Sequence, residues 1–221
     1  MRIREFKILQ TKAYEYIKKC IVDGTMTFNK IYSETGLAQE LGISRTPVRD
    51  AVHLLYQEGL VDILPNKGFV LHKLNEQDVM ETYEIRSAIE GYCVRKLALE
   101  KDEKRKSAVL ESLRQSVDLQ QSFFENGRNI ERFVDEDHNF HCLLVKNSGN
   151  DAFVGVFSEY MHWIKKLAAY SLAKDGRMEQ TLSEHRMILD AISSGDGLAA
   201  YDALLYHMRS PLDFNLESIY Q

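Results

Sequence analysis

The stretch ISRTPVRDAVHLLYQEGLVDILPNKGFVL, residues 43–71, decides the fold of the first part of the chain. Pro47 stands in the first turn of a predicted helix over 44–57, where a missing backbone N–H costs least. Two β-rich runs follow, LVDIL and FVLHKL, and the turn signal PNKG at 65–68 joins them. The stretch therefore predicts a helix followed by a β-hairpin. The apolar stripe of the helix is formed by Val48, Ala51, Val52 and Leu55.

Two further helices are predicted upstream, over 6–23 and 33–41, and Gly24 and Gly42 end them. Three short helices and a two-stranded hairpin make a winged helix-turn-helix, which we place at residues 1–74. Residues 1–73 carry 11 basic and 8 acidic side chains, whereas the rest of the chain carries 17 and 25. This asymmetry fits a small anion-binding head on an acidic body.

The remainder, residues 75–221, is predicted to be all-helical, because no proline lies between about residue 75 and residue 210. Six helices after a proline-poor boundary indicate a helical bundle. The predicted fold class is therefore mainly α, with the winged helix-turn-helix first. The six helices are expected over 76–101, 104–126, 129–147, 150–173, 177–194 and 197–218.

Composition fits an ordinary globular protein, with 44% hydrophobic and 28% charged residues in a chain of 221. No apolar run approaches the roughly 18–20 residues that cross a bilayer, so we expect no membrane association. The charged N-terminal segment MRIREFKILQTK lacks an apolar signal core, so we expect a cytoplasmic protein. Cys20, Cys93 and Cys142 form no CxxC pair, which favours reduced, buried thiols.

The outer face of the 44–57 helix favours nucleic-acid binding. Arg45 and Arg49 lie one turn apart, where either could hold guanine O6 and N7 or clamp a phosphate. The alternative is a solvated face whose arginines pair with Asp50 and Glu58, and helix-turn-helix shapes also occur in protein-binding modules. The other candidate contacts are Ser44 and Thr46 at the helix start, Lys67 at the hairpin tip, and Gly68, which allows close backbone approach.

The run LAQELGISRTPVRDAVHLLYQEGLVDILPNKGFVL, residues 37–71, resembles the winged-helix domain of the GntR family of bacterial transcription regulators. The chain departs from the family at Phe28-Asn29, where the family usually has Pro-Gly. The resemblance implies binding to double-stranded DNA at an operator. It places Arg45, Thr46 and Arg49 on the recognition helix, and Lys67 and Gly68 in the wing.

The stretch DEDHNFHCLL, residues 135–144, raises the question of a metal site. Asp137 and His141 are four residues apart, so on a helix they stack on one face among apolar neighbours. His185 and His207 each share an apolar helix face as well. Each histidine alone fits an ordinary hydrogen-bonded core residue. If all four side chains converge, three imidazoles and a carboxylate suit zinc, nickel, iron or manganese. His138 is excluded, because it points about 100° away from Asp137.

Residues 75–215 are similar to the FCD ligand-binding domain of the FadR-like subfamily. The resemblance implies a metal held by Asp137, His141, His185 and His207, a homodimer on a short palindrome, and a small organic acid effector near the metal. The matching pieces are YEIRSAIEGYCVRKLA (83–98), DHNFHCLLVKNSGN (137–150), EHRMILDAISSGD (184–196) and ALLYHM (203–208).

Arg86 lies on the predicted inner stripe of its helix and has two interpretations. It could form an ion pair with Glu90, one turn further on, or clamp the carboxylate of an effector with two hydrogen bonds. The resemblance implies that this arginine lines the effector pocket, with Tyr83 as a neighbour.

The expected function is a ligand-responsive transcription regulator, a repressor, that binds a divalent metal and a small organic acid. One alternative is a regulator for which the metal itself is the signal. A second is a metal-dependent hydrolase or oxygenase, since metal sites with open positions can activate water. No general base stands near the four candidate ligands in the sequence, so we expect no enzyme.

Overall fold

The computed structural model describes residues 2–219, without the side chains of residues 2–5, 22, 161–162 and 218–219. Its internal contacts divide the chain into two compact units, Met1–Lys73 and Leu74–Gln221. None of the helices in the described part is long and apolar enough to span a membrane.

The first unit is a winged helix-turn-helix, as predicted. Val61 stands opposite Leu71 in its antiparallel hairpin, and Leu64 stands opposite Gly68. A backbone bridge between Tyr32 and Phe69 ties the segment before the second helix to the hairpin. The elements are α1 (Arg2–Val22), α2 (Glu34–Leu41), α3 (Arg45–Gln57), β1 (Val61–Leu64) and β2 (Gly68–Leu71).

Local signals in the sequence set the limits of α2, and apolar burial orients α3. The Ser33 side chain accepts a hydrogen bond from the Gly36 amide at the start of α2, and Gly42 ends the helix with φ 65°. The inner stripe of α3 is fully buried, which leaves the opposite face of that helix at the surface. The core of the unit includes Ala13, Ile17, Val48, Ala51, Val52, Leu55 and Phe69.

The second unit is all-helical within its described residues, which confirms the predicted mainly α fold class. Asn75 and Asp78 form a reciprocal capping box at its start, so each satisfies a backbone amide of the other. Its helices are α4 (Glu76–Ala98), α5 (Glu103–Glu125), α6 (Ile130–Lys146), α7 (Asp151–Glu159), α8 (Met161–Leu172), α9 (Arg177–Ser194) and α10 (Gly197–Ile219).

The single helix predicted over 150–173 is wrong, because the structure breaks it at Tyr160 into α7 and α8. The Ser158 hydroxyl donates to the Val154 carbonyl at 2.7 Å, a type of contact that often bends helices. Gly155 adds a residue of low helix propensity to the turn before. Neither glycine nor proline stands at the break itself, so the usual sequence signals are missing there.

Close packing of α4 against α10 shapes the second unit. A Cβ atom at Gly91 would lie 2.6 Å from the Tyr201 ring, so a larger residue at this position would require the ring to shift. The core also packs against polar groups, since the Phe140 ring stacks on His185 with centroids 4.1 Å apart. The fully buried apolar side chains include Val79, Leu113, Phe133, Phe140, Ile188 and Leu204.

Candidate metal centre and nucleic-acid interface

Three helices of the second unit bring the four predicted metal ligands together. Asp137 and His141 come from α6, His185 from α9 and His207 from α10, and their donor atoms all lie within 4.8 Å of one another. The Nε2 atoms of His141 and His207 are 3.2 Å apart, and His185 Nε2 lies 3.6 Å from Asp137 Oδ1. All four side chains are buried, so the cluster is shielded from water.

The outer nitrogen of each imidazole has a hydrogen-bond partner that the sequence analysis did not predict. Glu184 directly precedes the predicted ligand His185, and Glu90 lies one turn after Arg86. Both glutamates could therefore have been considered as partners from the sequence. Gln120 lies on α5, and no spacing connects it to the cluster. The pairs are His141 Nδ1 with Glu90 Oε2 at 2.5 Å, His185 Nδ1 with Gln120 Oε1 at 2.9 Å, and His207 Nδ1 with Glu184 Oε2 at 2.7 Å.

Two buried arginines donate hydrogen bonds to the carboxylates of Glu90 and Glu184. Arg86 Nε donates to Glu90 Oε1 at 2.7 Å, and Arg177 binds both oxygens of Glu184 at 2.8 and 2.6 Å. The first of these contacts is the ion pair considered for Arg86 in the sequence. Arg86 Nη2 is also buried, and it has no hydrogen-bond partner among the described residues. The Nη2 group of Arg86 is therefore available to donate to a hydrogen-bond acceptor.

Burial controls the ionisation of the cluster. It lowers the pKa of His141 and His185 well below the usual range, and it also lowers the pKa of His207. Burial raises the pKa of Asp137 to about 7. For Glu184, hydrogen bonds from His207 and Arg177 outweigh burial, so its pKa is lowered. Neutral imidazoles offer lone pairs, which is the state that metal coordination requires.

His138 lies outside the cluster and packs elsewhere. Its Nε2 lies 3.2 Å from Cys142 Sγ, and its ring stacks on Phe157 with an interplanar angle of 8°. Burial lowers its pKa to about 4. The side chain is thus a buried neutral histidine, which is the ordinary role considered for each histidine alone.

Tyr83 and Arg86 are neighbours, but they border different spaces. The Arg86 guanidinium lies 5.8 Å from the centre of the Tyr83 ring, and the Tyr83 hydroxyl accepts a hydrogen bond from Asn215 at 3.1 Å. Tyr83 also lines a groove of about 730 Å³ between α4 and α10, whose described lining does not include Arg86. Met80, Leu205, Tyr206 and Leu212 are among the other residues of that groove.

The candidate nucleic-acid contacts lie at the surface of the first unit. Arg45, Thr46 and Arg49 are exposed on the first turns of α3, and Lys67 is exposed in the hairpin turn. Ser44 precedes α3 and makes no side-chain capping hydrogen bond. Arg45, Lys67 and Gly68 border one concave surface, together with Ser33, Glu34 and Thr35 at the start of α2.

Arg45 has a partner that the sequence analysis did not predict. Its Nε and Nη2 atoms lie 2.9 and 2.8 Å from Glu34 Oε2, rather than near Asp50 or Glu58. Glu58 instead accepts a hydrogen bond from Tyr14 and pairs with Lys18 at 3.0 Å. Only Arg49 approaches an expected acid, with its Nε 3.7 Å from Asp50 Oδ1.

Gly68 has a structural reason to be glycine. Its φ is +121°, and an added Cβ would lie 2.0 Å from the Tyr32 carbonyl oxygen. The close approach therefore holds the hairpin against the segment before α2.

A winged helix-turn-helix followed by a helical unit with a buried polar cluster is typical of DNA-binding transcription regulators. Residues 9–71 match the family model of bacterial regulatory proteins, gntR family, and residues 81–210 match the FCD domain. The chain therefore belongs to the GntR family and carries an FCD domain.

Two relatives among curated proteins are HTH-type transcriptional regulators. YdhC of Bacillus subtilis (strain 168) is 30% identical over 88% of this chain and 85% of its own length. The transcriptional repressor RspR of Escherichia coli (strain K12) is 26% identical, over 89% of this chain and 84% of its own. The relatives are thus similar over both units.

Two solved structures show the same fold at lower identity. A GntR transcriptional regulator from Rhodococcus sp. RHA1 superposes with a TM-score of 0.69 at 20% identity, covering 95% of this chain and 98% of that one. The metal-free FCD domain of TM0439 gives a TM-score of 0.53 at 22% identity, covering 67% of this chain and 98% of that one.

Proposed function

We propose that this regulator is a homodimeric repressor whose FCD domain holds one divalent metal ion and responds to a small organic acid. The observation that carries the proposal is the buried cluster of Asp137, His141, His185 and His207, whose donor atoms lie within 4.8 Å of one another. A buried carboxylate among apolar side chains is costly without a compensating charge. A divalent cation at the centre supplies that charge.

The donor set restricts the choice of metal. Three neutral imidazole nitrogens and one carboxylate oxygen suit zinc, nickel, iron or manganese better than calcium or magnesium. A metal that prefers six ligands would keep two positions for water or an effector. The name of the TM0439 structure, a metal-free FCD domain, supports the view that metal occupancy is a property of such domains.

The charges around the cluster favour an anionic effector. The Arg86–Glu90 and Arg177–Glu184 pairs are each neutral, so a divalent ion with Asp137 alone leaves one positive charge. The buried Arg86 Nη2 has no partner among the described residues and could donate to a carboxylate at the metal. An organic acid would satisfy both groups at once.

The DNA contacts proposed for the first unit follow from exposure and charge. Arg45 and Arg49 would read base edges or phosphates, while Ser44, Thr46, Lys67 and the Gly68 backbone would contact phosphates. A homodimer presents two such heads to the two halves of a palindrome. The relative RspR is a transcriptional repressor, and this supports repression as the direction of control.

The test combines metal analysis with operator binding. Protein purified without chelators should contain about one metal ion per chain by mass spectrometry, and chelation should remove it. Duplexes from the region upstream of its own gene should bind more tightly than scrambled duplexes, with affinity falling steeply as salt rises. A panel of small organic acids should release the operator only from metal-loaded protein. Chains without metal, or equal affinity for scrambled DNA, would contradict the proposal.

A second candidate is a regulator whose signal is the metal itself. Four protein donors can complete the coordination of an ion that prefers four ligands, and this would leave no position for an acid. In that case metal alone would change operator affinity and no member of the acid panel would have an effect. The same titrations therefore separate the two functions.

A further inference from the structure

We propose that Glu90, Gln120 and Glu184 are positioning residues that fix the tautomer of all three cluster histidines. Their acceptor oxygens place the proton of each imidazole on Nδ1 and leave the Nε2 lone pair aimed at one divalent cation. This inference rests on the proposed metal site, and it identifies the residues that prepare that site before the ion arrives.

The orientation of the Gln120 amide determines the tautomer of His185. The Gln120 Nε2 donates to the Glu136 carbonyl at 3.3 Å, so its oxygen must face His185 Nδ1, 2.9 Å away. A carbonyl oxygen only accepts, and therefore His185 carries its proton on Nδ1. Its Nε2 is then a buried lone pair without a hydrogen-bond partner among the described residues, 3.6 Å from Asp137 Oδ1.

The two carboxylates impose the same tautomer on the other imidazoles. Arg86 donates to one oxygen of Glu90, and Arg177 donates to both oxygens of Glu184, so each carboxylate presents an accepting oxygen to its histidine. His141 and His207 must donate to them from Nδ1. Their Nε2 atoms then bear lone pairs that face each other at 3.2 Å.

This arrangement fits a cation better than a network of hydrogen bonds. Two neutral imidazoles with both protons on Nδ1 have no proton to share between their Nε2 atoms. The ionised form of Asp137 adds an oxygen acceptor to the same small space. A metal ion converts these acceptors into ligands, and the hydrogen bonds to Nδ1 hold the rings in the coordinating orientation.

The variant Glu90→Gln tests the inference with almost no change in shape. Arg86 Nε would keep the side-chain oxygen at position 90, so the new amide nitrogen would face His141 Nδ1. An amide N–H donates, which forces the His141 proton onto Nε2 and blocks that ligand. We expect affinity for Zn²⁺ and Co²⁺ to fall about 10- to 100-fold. The matched control is Glu84→Gln, an exposed position on the same helix.

Nitrogen-15 NMR of histidine-labelled protein reports the tautomer directly, and a purely structural role would leave it unchanged. Metal-free wild type and Glu84→Gln should show three cluster histidines protonated on Nδ1. Metal-free Glu90→Gln should show one of them protonated on Nε2.

Glu90→Gln also weakens a buried ion pair, so a second variant guards against loss of the fold. Gln120→Met removes the acceptor for His185 without changing charge, and its control is the same change at the neighbouring, less buried Gln121. Metal affinity should fall for Gln120→Met and not for Gln121→Met, while both metal-free variants remain folded.

The outcomes are distinguishable. In a protein that binds Zn²⁺, an unchanged His141 tautomer in Glu90→Gln, or unchanged metal affinity in Glu90→Gln and Gln120→Met, would overturn this inference and leave the metal site standing. Absence of Zn²⁺ and Co²⁺ binding by wild type would overturn the proposed metal function and this inference with it. Weaker binding with an altered tautomer supports both.

Discussion

Asp137 is the residue at which the proposed function opposes stability. Burial raises its pKa to about 7, above the value of 3.8 for a solvated aspartate, so the ionised carboxylate is costly in metal-free protein. The protonated carboxyl is favoured in the folded state. Its contribution to the unfolding free energy is fully present below about pH 4 and is lost as pH rises through about 7.

Asp137→Asn should therefore stabilise the metal-free protein while it weakens metal binding. At pH 8 the unfolding free energy of the metal-free variant should exceed that of wild type by at most about 4 kcal/mol, and the difference should vanish as pH falls towards about 4. Denaturant unfolding of chelated protein at several pH values measures the gain, and metal titration measures the loss. A metal-free Asn variant that is less stable than wild type at pH 8 would show that the ionised carboxylate has a compensating partner.

Glu34 restrains Arg45, one of the proposed DNA contacts, by binding its Nε and Nη2 atoms. In Glu34→Gln the arginine would carry an unpaired charge, so affinity for scrambled duplex should rise. The slope of log affinity against log salt should steepen by about one unit. Fluorescence anisotropy at several salt concentrations checks this.

The control for this prediction is Glu40→Gln, an exposed position on the same helix that removes the same charge. If both variants change the salt slope equally, the effect comes from general charge and not from release of Arg45.

At the residue scale, helix spacing predicted which side chains face inward, and this placed Asp137, His141, His185 and His207 on inner faces. Spacing along one helix cannot show which other helix supplies a hydrogen-bond partner. Gln120 and Glu34 depend on packing between separate elements, so their contacts became visible only in three dimensions. The Arg86–Glu90 pair lies within one helix, and it was predictable as an alternative.

Among the elements, the hairpin depends on a single glycine. Gly68→Ala would place a methyl group 2.0 Å from the Tyr32 carbonyl oxygen at a φ of +121°. We expect the unfolding free energy of the first unit to fall by more than about 1 kcal/mol, because both the strained backbone and the clash oppose folding. Hydrogen exchange of β1 and β2 amides measures this loss.

Gly127→Ala provides the control, since this residue also has a positive φ, +97°, but no atoms within 4 Å of an added Cβ. Gly127→Ala should lower the unfolding free energy only through the strained backbone, because the added methyl group meets no other atom. Equal effects in the two variants would mean that the contact with Tyr32 contributes little.

Element boundaries were predictable where capping residues mark them. Gly42, Asn75 and Asp102 each stand at a helix end and have side chains or backbone angles suited to it. The break at Tyr160 lacks such a residue. Helix propensity favours continuation there, and the hydrogen bond from Ser158 to Val154 leaves no distinct pattern in the sequence.

On the scale of the whole molecule, metal removal should act on one unit. The four proposed ligands lie on three helices of Leu74–Gln221, so an ion would connect those helices and stabilise that unit. Chelation should increase hydrogen exchange in α6, α9 and α10, while the amides of α1–α3 keep their protection. Equal loss of protection in both units, or none in either, would contradict a metal held by the cluster.

The position of the four donors along the chain has a consequence for biosynthesis. A ribosome releases the N-terminal unit first, and domains generally fold in that order. The donor set is complete only after His207 has left the ribosome, long after the DNA-reading helix α3. Each newly made molecule therefore completes its first unit before the four proposed ligands can meet, and uptake of the proposed metal ion would be a late step of its maturation.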